Sequence, residues 1–346
     1  MKLLIFTQKV DREDDVLGFF HGWIEKIAAK VDYLNVVCLY EGQHKLPSNV
    51  KVWSLGKESS RSKIRQLFRF YKYIWKLRKE CDVVFVHMNP IYIFLGGIFW
   101  KIYRKRIYLW HNHQQGSFIT KTAINLSNTA FHTSPFAFTG KFKNSKMMPA
   151  GIDTDVFYND ERIEKIPNSI LFIGRFSPIK NIEILIEAAK LIHQDGVDFT
   201  LNIVGEVERG GGEKYFEHIK NLSKELEEMG KIRFLGKISN YKTPEIYNQN
   251  EVLVNLSPAG AFDKTILEAM ACGSLVLVSS PAFKDILLEN MVFQEKNAKD
   301  LKNKIIDLFD LKNEDRISIG ESLREIAIKK HSLDALIIKL LEEFRK

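Results

Sequence analysis

The sequence predicts an α/β protein of two domains, each a doubly wound, parallel-sheet unit of the Rossmann-like kind. Three observations lead to this prediction. At 346 residues and 40.1 kDa, the chain is too long for one ordinary hydrophobic core and suits two domains. Short apolar segments alternate with amphipathic helical segments along nearly the whole length. The composition, 45% hydrophobic and 27% charged, excludes a disordered chain, a collagen-like repeat and a polytopic membrane protein.

The first series of elements begins with an apolar segment at residues 3–6, which predicts a buried strand before a polar loop at residues 8–15. Apolar residues at helical spacing from Phe20 to Ala28 predict the first helix. Further strands of this series are predicted at residues 36–39, 83–86 and 107–110. We expect these elements to form an N-terminal domain of residues 1–160.

A second series starts after the polar segment of residues 159–168. Its first helix places apolar residues on one face from Ile182 to Ile192. The strands of this series are predicted at residues 170–173, 201–204, 232–235, 252–255 and 275–278. We therefore expect a second domain at residues 161–325. Residues 326–346 are predicted to form an amphipathic C-terminal helix, for which packing against the N-terminal domain is one option.

Three features bear on the compartment in which the protein works. Cys38, Cys81 and Cys272 are far apart and form no Cys-x-x-Cys motif, which favours a reducing compartment. The first apolar segment is too short for a signal peptide. The longest apolar run, at residues 91–100, is half of the ~20 residues needed to span a bilayer. We expect a cytoplasmic protein, either soluble or peripheral on the inner face of the membrane.

The charge of the chain is divided unevenly between its two parts. Residues 1–150 contain 24 Lys+Arg and 10 Asp+Glu, so they carry +14, whereas the remainder carries −6. This asymmetry predicts that the first part faces an anionic partner. Nucleic acid, an anionic membrane surface and a phosphate-bearing substrate are the three candidates.

Many of these cations lie in the basic, aromatic segment of residues 61–79 and in a second cluster at residues 101–106. One interpretation is a helix that packs on the sheet with a solvated basic face. A second is peripheral binding to anionic lipid, which suits the mixture of aromatic and cationic residues. Nucleic-acid binding is the third, but the sequence contains no recognisable base-stacking or groove-reading element. Packing combined with contact to a lipid surface is the interpretation that we favour.

The segment of residues 170–181 predicts a strand, a tight turn at Gly174, a loop restrained by Pro178, and a helix that begins at Asn181. Arg175 and Lys180 would then lie at the carboxyl end of a strand beside a helix N-terminus, where both charge and dipole favour a phosphate. A solvated loop with ordinary surface cations is an equally good interpretation of this segment alone.

A second segment, residues 257–273, predicts a small-residue loop followed by a short helix from about Lys264 to Cys272. Asp263, Lys264 and Thr265 would lie at the start of that helix, where a diphosphate or sugar could bind. One turn later, Glu268 could accept hydrogen bonds from a ribose diol. The alternative, a solvent-facing Glu268, is harder to reconcile with the apolar residues around it.

These segments resemble the retaining GT-B glycosyltransferases of family 4, the glycosyltransferase group 1. The likeness covers nearly the whole chain, and its motifs are more specific in the second half. The matching motifs are Gly174-Arg175 with Lys180-Asn181, Pro149 to Asp153, Leu267 to Gly273, Phe234 to Gly236 with Ile238, and Leu109 to His113.

The resemblance implies a GT-B architecture, in which two Rossmann-like domains face each other across a cleft, with the acceptor on the N-terminal side. It also implies transfer of a hexose from a UDP- or GDP-linked sugar to a hydroxyl of a glycan or a polyprenyl- or lipid-linked acceptor. The anomeric configuration would be retained, and the pathway would be polysaccharide or cell-envelope biosynthesis. The implied enzyme needs no cofactor, with the nucleotide sugar as a substrate, and binds no nucleic acid.

The resemblance also implies roles for single residues. Arg175 and Lys180 would clamp the diphosphate, and His113 would be the active-site histidine that follows a strand. Glu268 would bind the ribose. The remaining implied donor-binding residues are Gly18, Gly174, Phe262, Asp263, Lys264 and Thr265, and those beside the nucleobase are Gly236 and Ile238.

The sequence departs from the family pattern at Gly260, where the first glutamate of the motif usually contacts the donor sugar. The loop offers Asp263 and Lys264 instead. We favour a subgroup that recognises its sugar differently over an impaired enzyme. A GT-B sugar-nucleotide epimerase and a catalytically silent nucleotide-sugar-binding protein are the alternative functions.

His111 and His113 form a His-x-His pattern that would place both rings on one side of a strand. Such a pair can bind a metal, but no carboxylate or cysteine at a useful spacing completes a site. We therefore predict that no metal is bound.

Overall fold

The computed structural model describes residues 1–14, 16–208, 211–258 and 262–346. The chain forms two compact units. The first comprises residues 1–151 together with residues 333–346, and the second comprises residues 152–332. Each unit is built on its own parallel sheet with helices on both faces, so the predicted fold class is confirmed.

The strands of the described residues are β1 (Lys2–Val10), β2 (Tyr33–Glu41), β3 (Val50–Ser54), β4 (Val83–His87), β5 (Arg106–Trp110), β6 (Thr129–His132), β7 (Ser145–Met147), β8 (Ile166–Ile173), β9 (Thr200–Val204), β10 (Ile232–Gly236), β11 (Asn250–Asn255) and β12 (Leu275–Val278). The helices are α1 (Phe19–Ala28), α2 (Lys63–Leu77), α3 (Ile91–Ile102), α4 (Phe118–Leu126), α5 (Ile182–Gln194), α6 (Glu213–Glu228), α7 (Thr243–Gln249), α8 (Lys264–Ala271), α9 (Ala298–Phe309), α10 (Asn313–His331) and α11 (Leu333–Arg345).

The sheet of the first unit has the order β3-β2-β1-β4-β5-β6-β7, with parallel neighbours throughout. All five residues of β4 are buried, as expected for a central strand covered on both faces. Alternate residues of β1 enter different cores. Leu3 and Ile5 pack with α1 and α11, whereas Leu4 and Phe6 pack with α2, α3 and α4.

The C-terminal helix α11 belongs to the first unit. The Tyr108 hydroxyl donates a 2.6 Å hydrogen bond to the backbone oxygen of Glu343. The Phe344 ring packs against the rings of Tyr108 and Phe85, at centroid distances of 4.8 and 5.4 Å. Residues 326–331, which the sequence suggested as part of this terminal segment, instead continue α10 in the second unit.

The division between the units also lies before the predicted boundary at residue 160. Phe157 packs on Tyr247, with ring centroids 6.0 Å apart, and the amide of Asp160 donates to Asn248. These contacts anchor residues 152–160 to the second unit. Gly151 ends the first unit with a positive φ of 73°, and a Cβ there would lie 2.4 Å from the side chain of Leu336.

The sheet of the second unit has the order β10-β9-β8-β11-β12 and is also parallel. Because β8 and β11 are adjacent and run in the same direction, the loops that follow Ile173 and Asn255 leave the sheet at one edge. Those loops contain the two segments that the sequence singled out. Ligands of open parallel α/β sheets bind at this carboxyl edge.

Candidate active site

The loop that follows β8 is shaped by local backbone features. It passes through Gly174 and Arg175 into a short 3-10 turn, Pro178–Lys180. Asn181 then takes a left-handed conformation, with φ of 46°, before α5 begins. Its side-chain amide donates to the backbone oxygen of Leu256, which ties this loop to the one after β11.

Lys180 crosses from the first loop to the second. Its Nζ atom lies 2.7 Å from Oδ2 of Asp263 and 2.9 Å from Oγ of Ser257. Both members of the ion pair are largely covered, since about a fifth of each side chain is exposed, at 19% and 20%. The structure therefore brings together Lys180 and Asp263, which are separated by 83 positions in sequence.

Asp263 is also the N-cap of α8, where its Oδ1 atom accepts from the amide of Thr265. Burial alone would raise the pKa of this carboxyl. The charge and hydrogen bonds of Lys180, together with those from Asn255 and Thr265, outweigh burial and hold the pKa far below its usual range. Asp263 is consequently an anion at every pH at which the protein would work.

Arg175 is more exposed than Lys180 and forms a different pair. Its Nη1 atom lies 2.9 Å from Oε1 of Glu208, with half of the arginine side chain exposed. Sequence reasoning missed Glu208, which lies beyond β9 and carries no local motif. Arg175 and Lys180 therefore extend from the same loop but pair with different carboxylates, those of Glu208 and Asp263.

Glu268 is buried on α8, so its interpretation as a solvent-facing residue is wrong. The Tyr247 hydroxyl donates to its Oε2 atom at 2.9 Å, and the Asn240 amide donates to Oε1 at 3.3 Å. Burial raises the pKa of Glu268, while these hydrogen bonds and the charge of Lys264 oppose the shift. Sequence reasoning did not identify Tyr247 or Asn240.

The segment predicted to border the nucleobase leads directly to this carboxylate. Gly236 ends β10, half-buried Ile238 follows it, and Asn240 then opens a short 3-10 turn. Because Asn240 bonds Glu268, the structure connects the proposed nucleobase segment to the proposed ribose ligand.

Two further predicted residues lie at the start of α8. Phe262 stacks on Phe283, with centroids 4.6 Å apart and ring planes within 13°. Lys264 is half-buried, and burial lowers its pKa to about 7, against the raising effect of Glu268. Gly260, at which the sequence departs from the family pattern, lies outside the described residues.

Gly18 and His113 belong to the first unit, where they follow β1 and β5 at the carboxyl edge of its sheet. Gly18 is the N-cap of α1, and a Cβ at this position would lie 2.3 Å from the backbone oxygen of Asp14. The side chain of His113 is exposed, whereas that of His111 is buried beside Thr139. Burial lowers the pKa of His111 to about 4, and the nearby His113 adds to this effect.

The described ranges also bear on metal binding and on membrane crossing. No cluster of three or more His, Cys, Asp or Glu residues in those ranges is arranged to hold a metal ion. Across the same residues, no helix combines the length and apolar character needed to cross a membrane.

Comparison of the sequence with known proteins gives consistent matches. A family model described as glycosyl transferases group 1 matches residues 153–325, half of the chain. An uncharacterized glycosyltransferase of Methanocaldococcus jannaschii is 27% identical over 56% of this chain and 52% of its own length. D-inositol 3-phosphate glycosyltransferase of Pseudarthrobacter chlorophenolicus is 26% identical over 41% of this chain and 31% of its own length. The chain thus spans about half, or less, of the curated relatives that it matches.

Comparison of the structure gives a full-length likeness. The crystal structure of Anabaena HepE in complex with UDP and glucose superimposes with a TM-score of 0.79 and covers 100% of both chains. The two sequences are 17% identical, so this likeness concerns the fold.

Proposed function

The chain belongs to the glycosyl transferases of group 1 and has the GT-B architecture of two Rossmann-like units, and from this premise we propose its reaction. The protein transfers a hexosyl group from a nucleoside diphosphate sugar to a hydroxyl of a glycan or lipid-linked acceptor, with retention of anomeric configuration. UDP is the first candidate for the nucleotide, since the Anabaena protein binds UDP and glucose, and GDP is the second.

The observation that carries this proposal is the placement of Lys180 beside the start of α8, with Arg175 in the same loop. Negative charge develops on the departing diphosphate as its bond to the sugar breaks, and cations fixed at that point stabilise the transition state. The first turn of α8 adds backbone N–H groups that favour an anion. We assign the role of diphosphate clamp to these two side chains and expect them to supply most of the rate enhancement.

The nucleoside is assigned to the neighbouring part of the same unit. Glu268 is held by Tyr247 and Asn240, and a carboxylate fixed in this way can bind a ribose diol by exchanging the weaker 3.3 Å bond from Asn240. Gly236 and Ile238 would border the base. These assignments give a role to a buried glutamate on an otherwise apolar helix face.

We propose that the reaction needs neither a metal nor a covalent nucleophile. Arg175, Lys180 and the helix start supply the positive charge that a divalent cation would otherwise bring. The acceptor hydroxyl attacks from the face that the diphosphate leaves, with the departing phosphate taking its proton, so the configuration is retained. His113 is assigned to the sugar or acceptor, because it is an exposed titratable group at the carboxyl edge of the first sheet.

We further propose that the first unit binds an anionic membrane surface on which a lipid-linked acceptor is presented. The apolar patch, as we name it, consists of strongly exposed side chains on three helices: Ile64, Phe68 and Trp75 on α2, Ile98 and Ile102 on α3, and Phe118 on α4. Exposed groups of this size on adjacent helices favour an interaction surface.

Contacts between the helices place the three parts of the apolar patch next to one another. The Tyr71 hydroxyl on α2 donates to the Leu95 backbone oxygen on α3 at 3.4 Å. The rings of Phe94 on α3 and Phe118 on α4 lie 6.3 Å apart. Residues 59–121 contain 13 Lys+Arg and two Asp+Glu. Aromatic and cationic side chains together suit the headgroup region of an anionic bilayer, which is why we favour this partner.

A ligand screen followed by product analysis tests the proposed reaction. Binding to the native state raises thermal stability by mass action, so the correct nucleotide should raise the Tm most among UDP, GDP, ADP and their sugars. Release of the nucleotide then measures transfer from the selected donor to hydroxyl acceptors. NMR of the product identifies the anomer. An inverted product would contradict retention. Donor epimerised without transfer would contradict the assignment as a transferase.

A further inference from the structure

We propose that Asp263 is a positioning residue, which holds the ammonium of Lys180 at the diphosphate position before the donor arrives, and does not contact the donor sugar. The proposal rests on the proposed function, since it assigns Lys180 to the diphosphate. It concerns the second unit alone, in which both residues and the partners named below lie.

The hydrogen-bonding capacity of the Asp263 carboxylate is fully used by neighbouring donors. Its Oδ2 atom accepts from Lys180 at 2.7 Å, from Ser257 at 3.1 Å and from Asn255 at 3.2 Å. Its Oδ1 atom accepts from the amide and hydroxyl of Thr265 at 3.3 and 3.2 Å. An ionised carboxylate offers about four lone-pair sites. These donors fill them, so no acceptor site remains for a sugar hydroxyl.

This network orders the side chain of Lys180. A lysine side chain has four rotatable bonds, and fixing it costs conformational entropy. Here Nζ is held by Asp263 and by Ser257, whose hydroxyl accepts from Lys180 while donating to Asp263. The ordering is therefore complete before the donor binds, and preorganised charge of this kind contributes most to transition-state stabilisation.

The charge of Asp263 has opposite effects on ligand binding and on the order of Lys180. Asp263 is an anion close to the site assigned to the diphosphate, so it repels the ligand while it orders the cation. Replacing it with asparagine removes the repulsion but exchanges the charged acceptor for a neutral amide, so Lys180 is held less tightly. We therefore expect affinity for UDP to be unchanged or higher, and the rate of transfer to fall.

The test compares the wild type with Asp263→Asn, Lys180→Met and the double variant. Asparagine is as good an N-cap as aspartate, so α8 should remain folded, which circular dichroism and thermal melting verify. Asp285→Asn is the matched control, because Asp285 is an exposed aspartate of the same unit. We expect Asp263→Asn to lower kcat about tenfold or more, which is part of the ~10²-fold loss expected when a transition-state group is removed outright. The UDP Kd from calorimetry should not rise. The double variant should be no slower than Lys180→Met alone.

Two results would overturn the inference while leaving the proposed function standing. In the first, Asp263→Asn raises the Kd for the UDP-sugar but not the Kd for UDP, and kcat is unchanged. That result indicates that Asp263 contacts the sugar. In the second, the fold-loss in kcat of the double variant equals the product of the losses in Asp263→Asn and Lys180→Met. That result indicates that the two residues act independently. A wild-type protein that neither binds nor turns over any nucleotide sugar would overturn both proposals.

Discussion

The phenol oxygen of Tyr247 lies 2.9 Å from Oε2 of Glu268, and both side chains are buried. Burial raises the pKa of the tyrosine well above its usual value, and the adjacent carboxylate adds to that effect. Tyr247 therefore remains a hydrogen-bond donor. Glu268 is buried among apolar residues of α8, so it depends on such donors to replace the hydrogen bonds that it would make with water. Burying a carboxylate in this way costs stability unless its hydrogen bonds are kept.

We first predict the effect of Tyr247→Phe. This variant removes the donor and leaves a buried carboxylate oxygen without it, so the free energy of unfolding should fall by about 1–3 kcal/mol. Urea denaturation measures the change. Tyr71→Phe is the matched control, because Tyr71 also donates one hydrogen bond but is 45% exposed. A similar loss in both variants would contradict the importance of the buried pair.

The second prediction concerns the pH dependence of donor binding. Because burial lowers the pKa of Lys264 to about 7, its ammonium is lost as the pH rises through neutrality. A diphosphate attracts the charged form, so affinity for UDP should fall between pH 6 and pH 8 in the wild type. Lys264→Arg keeps its charge over this range and should give a flatter profile. Identical slopes in calorimetric titrations of the two proteins would show that Lys264 does not act on the diphosphate.

The third prediction separates Arg175 from its partner Glu208. Arg175→Ala should lower kcat/KM about 10²-fold or more and weaken binding of the nucleoside diphosphate, because a cation that meets the developing charge is lost. Glu208→Gln frees the guanidinium instead, and affinity for the nucleotide should then be equal or higher. Steady-state kinetics with the donor found by screening measures both. Unchanged turnover in Arg175→Ala would contradict the assignment of Arg175 to the diphosphate clamp.

The sequence predicted the carboxyl edge of the second sheet well, because the signals there are local. Gly174 follows one strand, and the small-residue loop after β11 follows another. Parallel strands bring the ends of such segments together whatever lies between them in sequence. The predicted strand at residues 170–173 proved to be the last part of β8, which begins at Ile166.

The partners of the site residues could not be predicted in the same way. Glu208, Tyr247 and Asn240 come from elements with no motif of their own, and each is identified only by the packing that places it beside a charged group. The domain boundary was misplaced for a related reason. Polar composition at residues 159–168 suggested a linker, whereas buried Phe157 already belongs to the core of the second unit.

The fourth prediction concerns acid stability and follows from His111. Its pKa is about 4 in the folded protein and 6.5 in the unfolded chain, so the unfolded chain binds more protons between these values. Stability that is fully present above pH 6.5 is therefore lost as the pH falls toward 4, by up to about 3 kcal/mol.

The variant His111→Gln tests this prediction. It removes the titration, so the free energy of unfolding should change less between pH 6.5 and pH 4.5 than in the wild type. His113→Gln removes only the smaller cause of the low His111 pKa, since burial is the larger one, and should change this pH dependence much less. Asp263, whose pKa lies far below the usual value, loses its contribution only under more acidic conditions and does not interfere.

The fifth prediction concerns the apolar patch on α2, α3 and α4. Phe68 is 73% exposed, and Phe68→Glu places an anion within a basic, apolar surface. Co-sedimentation with vesicles that contain anionic phospholipid should fall severalfold in this variant, since it loses apolar burial and meets repulsion at the surface. Met229→Glu is the matched control, because Met229 is a half-exposed apolar residue of the second unit.

Binding to anionic vesicles should also weaken as salt is raised, because screening reduces the attraction between exposed charges and the surface. Equal binding of the wild type to neutral and anionic vesicles would remove the membrane proposal and leave the glycosyltransferase assignment intact.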